Sequence, residues 1–236
     1  MPHSIARNSI LIALSWALLG CQKQPSESAA PGVEPTPSKN TPPLIRTSAA
    51  VAPAKQYDGP FGLASGMPIS ELTRLGFKPV ETHPGVFTGT APKPVQGVTE
   101  YIVLATPKAG VCRLNARVDV PVVNGSGDQV KSKVDQLAEL VAVKYGKHSG
   151  KEDYISQDVY RRNPQYWMLG LQENSVFYTY AWQSGKTQQP LPSDMKAIEV
   201  AANASATDRA WASIQYTFTN FDACLRENQE RKAANL

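Results

Sequence analysis

Residues 111–146, VCRLNARVDVPVVNGSGDQVKSKVDQLAELVAVKYG, decide how this chain folds. The first ten of them alternate apolar and polar side chains, which is typical of a strand with one buried face. The expected core face carries Cys112, Leu114, Ala116, Val118 and Val120. The opposite face carries Arg113, Asn115, Arg117 and Asp119. A long strand with one buried face therefore predicts a sheet covered on one side.

A helix is predicted directly after this strand. Asn124-Gly125 marks a turn, and Ser126 followed three residues later by Gln129 matches a capping box. Apolar residues then recur at helical spacing, namely Val130, Val134, Leu137, Leu140, Val141 and Tyr145. Gly146 suits the end of a helix. We expect the apolar stripe to pack on the sheet.

Further elements extend in both directions from this pair. A shorter helix is predicted after Pro68, with strands at residues 86–91 and 98–106. Strands are also predicted at residues 166–171, 176–182, 197–202 and 212–219, and a terminal helix at 222–232. The order gives two loosely similar halves. It predicts a two-layer α+β fold, an antiparallel sheet of short strands with helices packed on one side.

The N-terminal quarter of the chain has a different composition. Residues 21–56 are rich in proline, serine, alanine and threonine, so they cannot bury enough apolar surface to fold. They are predicted to form a Pro-rich disordered tether between residues 1–20 and a globular domain at 57–236. A proline-rich chain extends by about 3.1 Å per residue.

Residues 1–20 have the features of a secretory signal peptide. Arg7 precedes an apolar run at residues 10–19, and Leu18-Leu19-Gly20-Cys21 resembles the lipobox of bacterial lipoproteins. In that family the cysteine is lipidated, which implies that Cys21 anchors the mature protein. The run is too short for a transmembrane helix, which needs roughly 20 residues, and an ordinary signal prefers Ala-x-Ala. Gln22 after the cysteine is similar to the outer-membrane sorting pattern.

The chain contains three cysteines. If Cys21 carries lipid, Cys112 and Cys224 remain in an oxidising compartment, where disulfides persist. A Cys112–Cys224 disulfide is then the one intramolecular pairing available. The alternative is two separate buried thiols, because sequence alone does not show whether the side chains meet.

Charge and motifs point away from several functions. The net charge is +4, and the basic residues are scattered, so no nucleic-acid-binding stripe is predicted. Neither His83 nor His148 belongs to a metal-ligand pattern, and no metal or cofactor is expected. Residues 184–187, SGKT, lack the upstream glycine of a P-loop because Tyr180 stands there. No catalytic residue is predicted.

An aromatic band is the best candidate for a binding surface. The predicted surface consists of Arg161, Arg162, Trp167, Tyr178, Tyr180 and Trp182. Exposed aromatic side chains with arginines nearby are suited to contact with a protein or a glycan. The alternative is that these aromatic residues pack in the core.

Several short strings resemble a group of uncharacterised bacterial secreted or lipid-anchored proteins. They are FGL at 61–63 with Gly66-Met67, GVC at 110–112, KYGK at 144–147, WMLGL at 167–171 and IQYTFTN at 214–220. The opening also resembles β-lactamase-inhibitor-like folds and the small lipoproteins of outer-membrane β-barrel assembly, although Met67-Pro68 stands where Met-Ser is usual. Those proteins bind other proteins and catalyse nothing.

Together these observations predict an outer-membrane lipoprotein whose domain faces the periplasm. It is expected to be a non-catalytic binding module for another envelope protein. Two alternatives remain open. One is an inhibitor or an immunity or exclusion lipoprotein, and the other is an enzyme acting on cell-wall glycan or peptide.

Overall fold

An antiparallel sheet of eight strands carries the fold. The computed structural model describes residues 57–234, so the predicted signal peptide, Cys21 and the tether lie outside the described residues. The strands are β1 (Lys78–Pro79), β2 (Val86–Gly89), β3 (Glu100–Thr106), β4 (Gly110–Pro121), β5 (Gly150–Ile155), β6 (Val176–Gln183), β7 (Met195–Ala206) and β8 (Arg209–Phe218). The helices are α1 (Ile69–Arg74), α2 (Asp128–Tyr145), α3 (Asp158–Arg162), α4 (Trp167–Gln172) and α5 (Phe221–Ala233), with short 3₁₀ turns at Pro60–Gly62 and Pro164–Tyr166.

The strand order is β1-β2-β3-β4-β8-β7-β6-β5. Two antiparallel meanders, β1 to β4 and β5 to β8, therefore meet where β4 pairs with β8. A helix precedes each meander, α1 before β1 and α2 before β5. The predicted α+β class with two loosely similar halves is confirmed.

One face of the sheet, the core face, is buried under the helices. Ala116, Ile214 and Val200 are partners in the successive strands β4, β8 and β7, and all three are buried. Helix α2 contacts β4, β6, β7 and β8 with the apolar stripe predicted from its sequence. The alternation along β4 thus gives the expected result, with Leu114 buried and Asp119 exposed.

The strand predicted at residues 166–171 is wrong. The structure has the turn Pro164–Tyr166 followed by α4 there. Pro164 fits the first turn of a helix, where its missing N–H is not needed. A Cβ atom on Gly170 would lie 2.6 Å from Val176 Cγ2 and 2.9 Å from the Tyr160 ring, so this helix packs very closely on its neighbours. An apolar run of this length fits a buried helix as well as a strand.

Strand β5 has no counterpart in the sequence prediction. It is an edge strand that pairs with β6 alone, through partners such as Asp153 and Tyr178. Its side chains include Lys151, Glu152 and Asp153. Charged residues protect an edge strand from pairing with other chains, and they also remove the apolar alternation that would reveal it.

The start of α2 differs from the predicted capping box. Gly127 occupies the N-cap in a left-handed conformation, with φ of 68°, and no side chain caps the helix. The Ser126 hydroxyl donates instead to Asp128 Oδ2 at 2.6 Å and to Asn124 Oδ1 at 2.9 Å. The turn residues bond to one another, and glycine supplies the positive φ.

The predicted disulfide is confirmed. Cys112 of β4 is bonded to Cys224 of α5, with Cα atoms 6.4 Å apart, and both residues are fully buried. Leu104 pairs with Arg113 while Ala105 pairs with Val111, which leaves Cys112 as the extra residue of a β-bulge. The bond fastens α5 to the sheet.

A carboxylate strengthens the same junction. Glu227 of α5 accepts hydrogen bonds from the backbone N–H groups of Lys108, at 3.1 Å, and Ala109, at 3.3 Å. Burial opposes ionisation of Glu227, but these bonds and one from Thr106 outweigh it and lower the pKa of the carboxyl. Helix α5 is therefore held to β4 by the disulfide and to the β3–β4 turn by the Glu227 carboxylate.

Candidate functional site

Most of the predicted aromatic surface lies in the core. Trp182 is 0% exposed, Trp167 3% and Tyr178 5%. The Trp182 indole N–H donates to the carbonyl of Gly146 at 2.8 Å, which satisfies its one polar group inside the fold. Side chains without exposed area cannot contact a partner, so the prediction is wrong for these three and the core alternative holds.

The other predicted residues do not form one surface either. Arg161 and Arg162 are exposed on α3, where both pair with Asp158, at 2.6 and 3.6 Å. Arg161 also donates to the carbonyl of Ile155 at 2.7 Å. Tyr180 is half-buried on β6 and belongs to the cluster described next.

A polar cluster joins α2 to strands β5 and β6. Asp135 Oδ1 accepts hydrogen bonds from the hydroxyls of Tyr178, at 2.8 Å, and Tyr180, at 2.7 Å. Lys151 Nζ donates to the Tyr178 hydroxyl at 3.0 Å and lies 4.7 Å from the centroid of each tyrosine ring. The cluster ties the edge strand to the helix above it.

The protonation states in this cluster suit a structural role. Hydrogen bonds to Tyr178 and Tyr180 raise the pKa of Lys151. Burial, together with the bond to Asp135, raises the pKa of Tyr178 to about 12. At neutral pH the lysine is therefore charged and the tyrosine neutral, so neither is a nucleophile or a base.

His148 borders the cluster. Its ring centroid lies 4.9 Å from that of Tyr180 and 6.0 Å from that of Trp182, both edge to face. Burial, followed by the charges of Lys147 and Lys151, lowers its pKa. His148 is therefore a half-buried ring packed against two aromatic neighbours, and it is neutral at pH 7.

The second face of the sheet, which we call the polar face, presents a different set of side chains. In register across five strands, it carries Arg113, Asn115 and Arg117 of β4; Trp211, Ser213, Gln215 and Thr217 of β8; Glu199 and Asn203 of β7; Phe177 and Thr179 of β6; and Glu152 and Tyr154 of β5. Most of these side chains are half-buried or exposed. A broad surface with this mixture of polar and aromatic side chains is suited to contact with another macromolecule.

Two arginines of β4 are stacked on aromatic rings of the polar face. The guanidinium carbon of Arg117 lies 4.2 Å from the ring centroid of Trp211, and that of Arg113 lies 3.9 Å from the centroid of Phe221. Arg117 Nε also donates to Asp119 at 2.7 Å. Stacking on a ring fixes the direction of both guanidinium groups.

The centre of the polar face carries two opposite charges, Arg113 and Glu199, that are not in direct contact. Arg113 Nε is buried and has no hydrogen-bond partner among the described residues. Burial lowers the pKa of Arg113, and Glu199 opposes that shift. Burial likewise raises the pKa of Glu199, with Arg113 opposing and Glu152 adding to the shift. The two charges attract one another, but they form no ion pair within the described part of the chain.

A second, apolar surface lies on the helix side of the sheet. An open groove of about 470 Å³ runs between the end of β4 and α2, lined by residues including Val120, Pro121 and Gln136. Near it Leu140 and Val143 point outward from α2, with 61% and 88% exposure. Unlike the polar face, the groove has no arginine stacked on an aromatic ring among its lining residues.

Residues 57–234 contain neither a metal-binding cluster nor a membrane-spanning helix. No group of three or more His, Cys, Asp or Glu side chains is arranged to hold a metal ion. No helix in that part of the chain is long and apolar enough to cross a bilayer.

The polar face was only partly visible in the sequence. Alternation places Arg113 and Arg117 on the outer face of β4, and the same alternation runs through Gln215 of β8. The alternation within single strands does not show that β4 pairs with β8, and it is this pairing that brings Trp211 beside Arg117. Phe221 belongs to a helix, so its position over Arg113 had no sequence signal.

Comparison of the chain with protein-family models, with curated proteins and with solved structures gave no significant match.

Proposed function

We propose that this protein is a lipid-anchored lipoprotein of the bacterial outer membrane whose periplasmic domain is a non-catalytic protein-binding module. The module binds another envelope protein through the polar face of the sheet. The observation that carries the proposal is the pair of arginines, Arg113 and Arg117, stacked on Phe221 and Trp211 side by side on one rigid strand.

The chemistry of the polar face supports protein binding. Tryptophan, tyrosine and arginine are the residues most enriched in the energetic centres of protein interfaces. A side chain already fixed by stacking loses less conformational entropy on binding, at a saving of about 0.5–1.5 kcal/mol for each such side chain. The resemblance to inhibitor-like and assembly-lipoprotein folds, which bind proteins, points the same way.

The lipid anchor is supported by the sequence and by the disulfide. The motif ending at Cys21 directs lipidation, and the Cys112–Cys224 bond suits an oxidising compartment outside the cytoplasm. Several acyl chains give stable attachment, since each buried CH₂ contributes about 0.8 kcal/mol. Gln22 in place of Asp supports the outer membrane.

The anchor is tested by Cys21→Ser. We expect this variant to leave the membrane pellet and enter the soluble envelope fraction. Retention of Cys21→Ser in the pellet after a carbonate wash would overturn lipid anchoring.

The binding module is tested by affinity capture from envelope extracts. The full mature chain is compared with an Arg117→Ala/Trp211→Ala variant of the polar face and a Leu140→Ser/Val143→Ser variant of the helix side. We expect the first variant alone to lose the captured protein, with thermal unfolding showing that both remain folded. Equal capture by the polar-face variant would refute binding through that face.

An inhibitor or immunity lipoprotein would use the same surface and differ in its partner. A cell-wall enzyme would instead release product from peptidoglycan. Turnover of peptidoglycan by the purified chain would therefore refute a non-catalytic binding module.

A further inference from the structure

Arg113 and Arg117 differ in what their guanidinium groups bind. They lie on the same face of β4, four residues apart, which is about 13 Å at roughly 3.3 Å per residue. Arg117 Nε is paired with Asp119. Arg113 Nε has no hydrogen-bond partner in the described chain and is buried. The half-buried guanidinium also forms no ion pair with a described carboxylate, so a carboxylate from outside could bind it without displacing one from the chain.

The groups around Arg113 determine from which side an anion can reach it and what else that anion would contact. Thr217 is its direct partner on β8, and one row further along the strands Asn115 faces Gln215. These neutral side chains offer hydroxyl and amide groups to the polar atoms of a peptide. The ring of Phe221 covers one flat side of the guanidinium, so a ligand reaches its edge, where two parallel N–H bonds to a carboxylate form.

Glu199 sets the orientation of the incoming group. It is the β7 partner of Gln215, and its charge acts on Arg113. A carboxylate placed toward β7 would be repelled by it, whereas one placed toward β3 and α5 would not. Four acidic side chains of the described chain lie on this face: Glu199 of β7, Glu152 of β5, which acts on Glu199, Asp119, which is paired with Arg117, and Glu100, the β3 partner of Arg117. Their presence also disfavours a long polyanion such as a nucleic acid.

We propose that the polar face captures an acidic segment of the partner protein, with one of its carboxylates bound edge-on to Arg113. The inference rests on the proposed function, because it names the chemistry of the partner of that same face. It predicts opposite effects of two neighbouring charges, since Arg113 attracts the segment and Glu199 repels it.

The test uses the chain from residue 21 onward carrying Cys21→Ser. The probes are three synthetic decapeptides of identical sequence apart from four positions, which are all Glu, all Gln or all Lys. Binding is followed by NMR of the arginine side-chain Nε–H groups and of the backbone amides of β4 and β8. We expect the Glu peptide to shift the Arg113 Nε–H signal and to bind at least tenfold more tightly than the Gln peptide.

Three variants sharpen the result. Arg113→Gln should weaken the Glu peptide at least tenfold, and Glu199→Gln should strengthen it about twofold to threefold. Arg226→Gln, at an exposed arginine of α5 away from this face, should leave its affinity unchanged. Amide spectra of each variant report whether the sheet is intact.

Several outcomes would overturn the inference. One is equal affinity for the Glu and Gln peptides, and another is no binding of any of the three peptides at millimolar concentration. A third is a shift of the Arg113 Nε–H signal by inorganic phosphate as large as that caused by the Glu peptide, which would indicate general anion binding. If the Arg117→Ala/Trp211→Ala variant still loses the captured partner while the Glu peptide fails, the proposed function stands and only the acidic partner is refuted.

Discussion

Removal of the Cys112–Cys224 disulfide should destabilise the domain about as much as deletion of its most deeply buried side chains. The two residues are 112 positions apart, so the bond closes a loop that contains both the β4–β8 junction and the whole second meander. Such a bond acts mainly by restricting the unfolded chain, and its effect grows with loop length. The change to make is Cys112→Ala/Cys224→Ala in a Cys21→Ser background.

The chain-entropy model gives about 5 kcal/mol for a loop of this length. Structure that persists in the unfolded chain reduces this figure, so we expect a loss of about 3–5 kcal/mol in the free energy of unfolding. For a domain of this size that corresponds to a decrease of roughly 10 °C in Tm.

The assay is equilibrium unfolding in urea, followed by tryptophan fluorescence, with and without a phosphine reductant. The double variant and the reduced parent should unfold at the same urea concentration, well below that of the oxidised parent. The slope of free energy against urea should be steeper without the bond, since the unfolded chain exposes more surface. A difference below about 1 kcal/mol between oxidised and reduced parent would refute this reasoning and leave Glu227 as the main fastening of α5.

Three further changes are predicted to alter stability. Trp182→Ala should cost about 3–5 kcal/mol in urea unfolding, because the side chain is fully buried and its N–H is bonded to Gly146. Glu227→Gln should cost about 1–3 kcal/mol of unfolding free energy at pH 7, because it weakens the charged hydrogen bonds to the β3–β4 turn. Since folding lowers the pKa of Glu227, this stability is present above the ordinary pKa and is lost as the pH falls through the folded value. The difference in Tm between the parent and the variant should therefore be smaller at pH 3 than at pH 7. Glu199→Gln should raise Tm at pH 7 and have no effect at pH 3. Folding raises the pKa of Glu199, so the parent loses stability as the pH rises through that value, whereas the neutral glutamine does not. A lower Tm of the variant at pH 7 would contradict this.

The main layers of the fold could be predicted because they follow from periodicity. Strand β4 alternates over ten residues, and α2 keeps an apolar stripe over 18 residues, so each pattern fits one kind of element. Pairing the two cysteines left by a lipidated Cys21 predicted the disulfide. The patterns of β4 and α2 each lie within one continuous stretch of sequence, so they can be recognised without knowing which strands pair.

The errors arose where local pattern and three-dimensional packing disagree. Residues 167–171 are apolar without alternation, and the close contact of Gly170 with Val176 decides for a helix. Strand β5 is charged because it is an edge, so its backbone pairing leaves no hydrophobic trace. The aromatic residues of β6 were predicted to form a surface, although their alternation is equally consistent with a core face. In the structure they pack under α2, so they belong to the core.

The candidate site depends on contacts that are distant in sequence. Trp211 reaches Arg117 across the β4–β8 pair, and Phe221 reaches Arg113 from α5. Each contact joins residues about a hundred positions apart, so only the strand order brings them together. A single sequence shows the polar residues of each strand but not their neighbours.

Site-specific photo-crosslinking in cells tests the central claim most directly. A photoreactive amino acid replaces Gln215, at the centre of the polar face, or Gln136, on the outer side of α2 beside the groove. We predict a crosslinked adduct of one defined mass from position 215 and none from position 136. An adduct from position 136 alone, or from neither position, would contradict a binding module that works through the polar face.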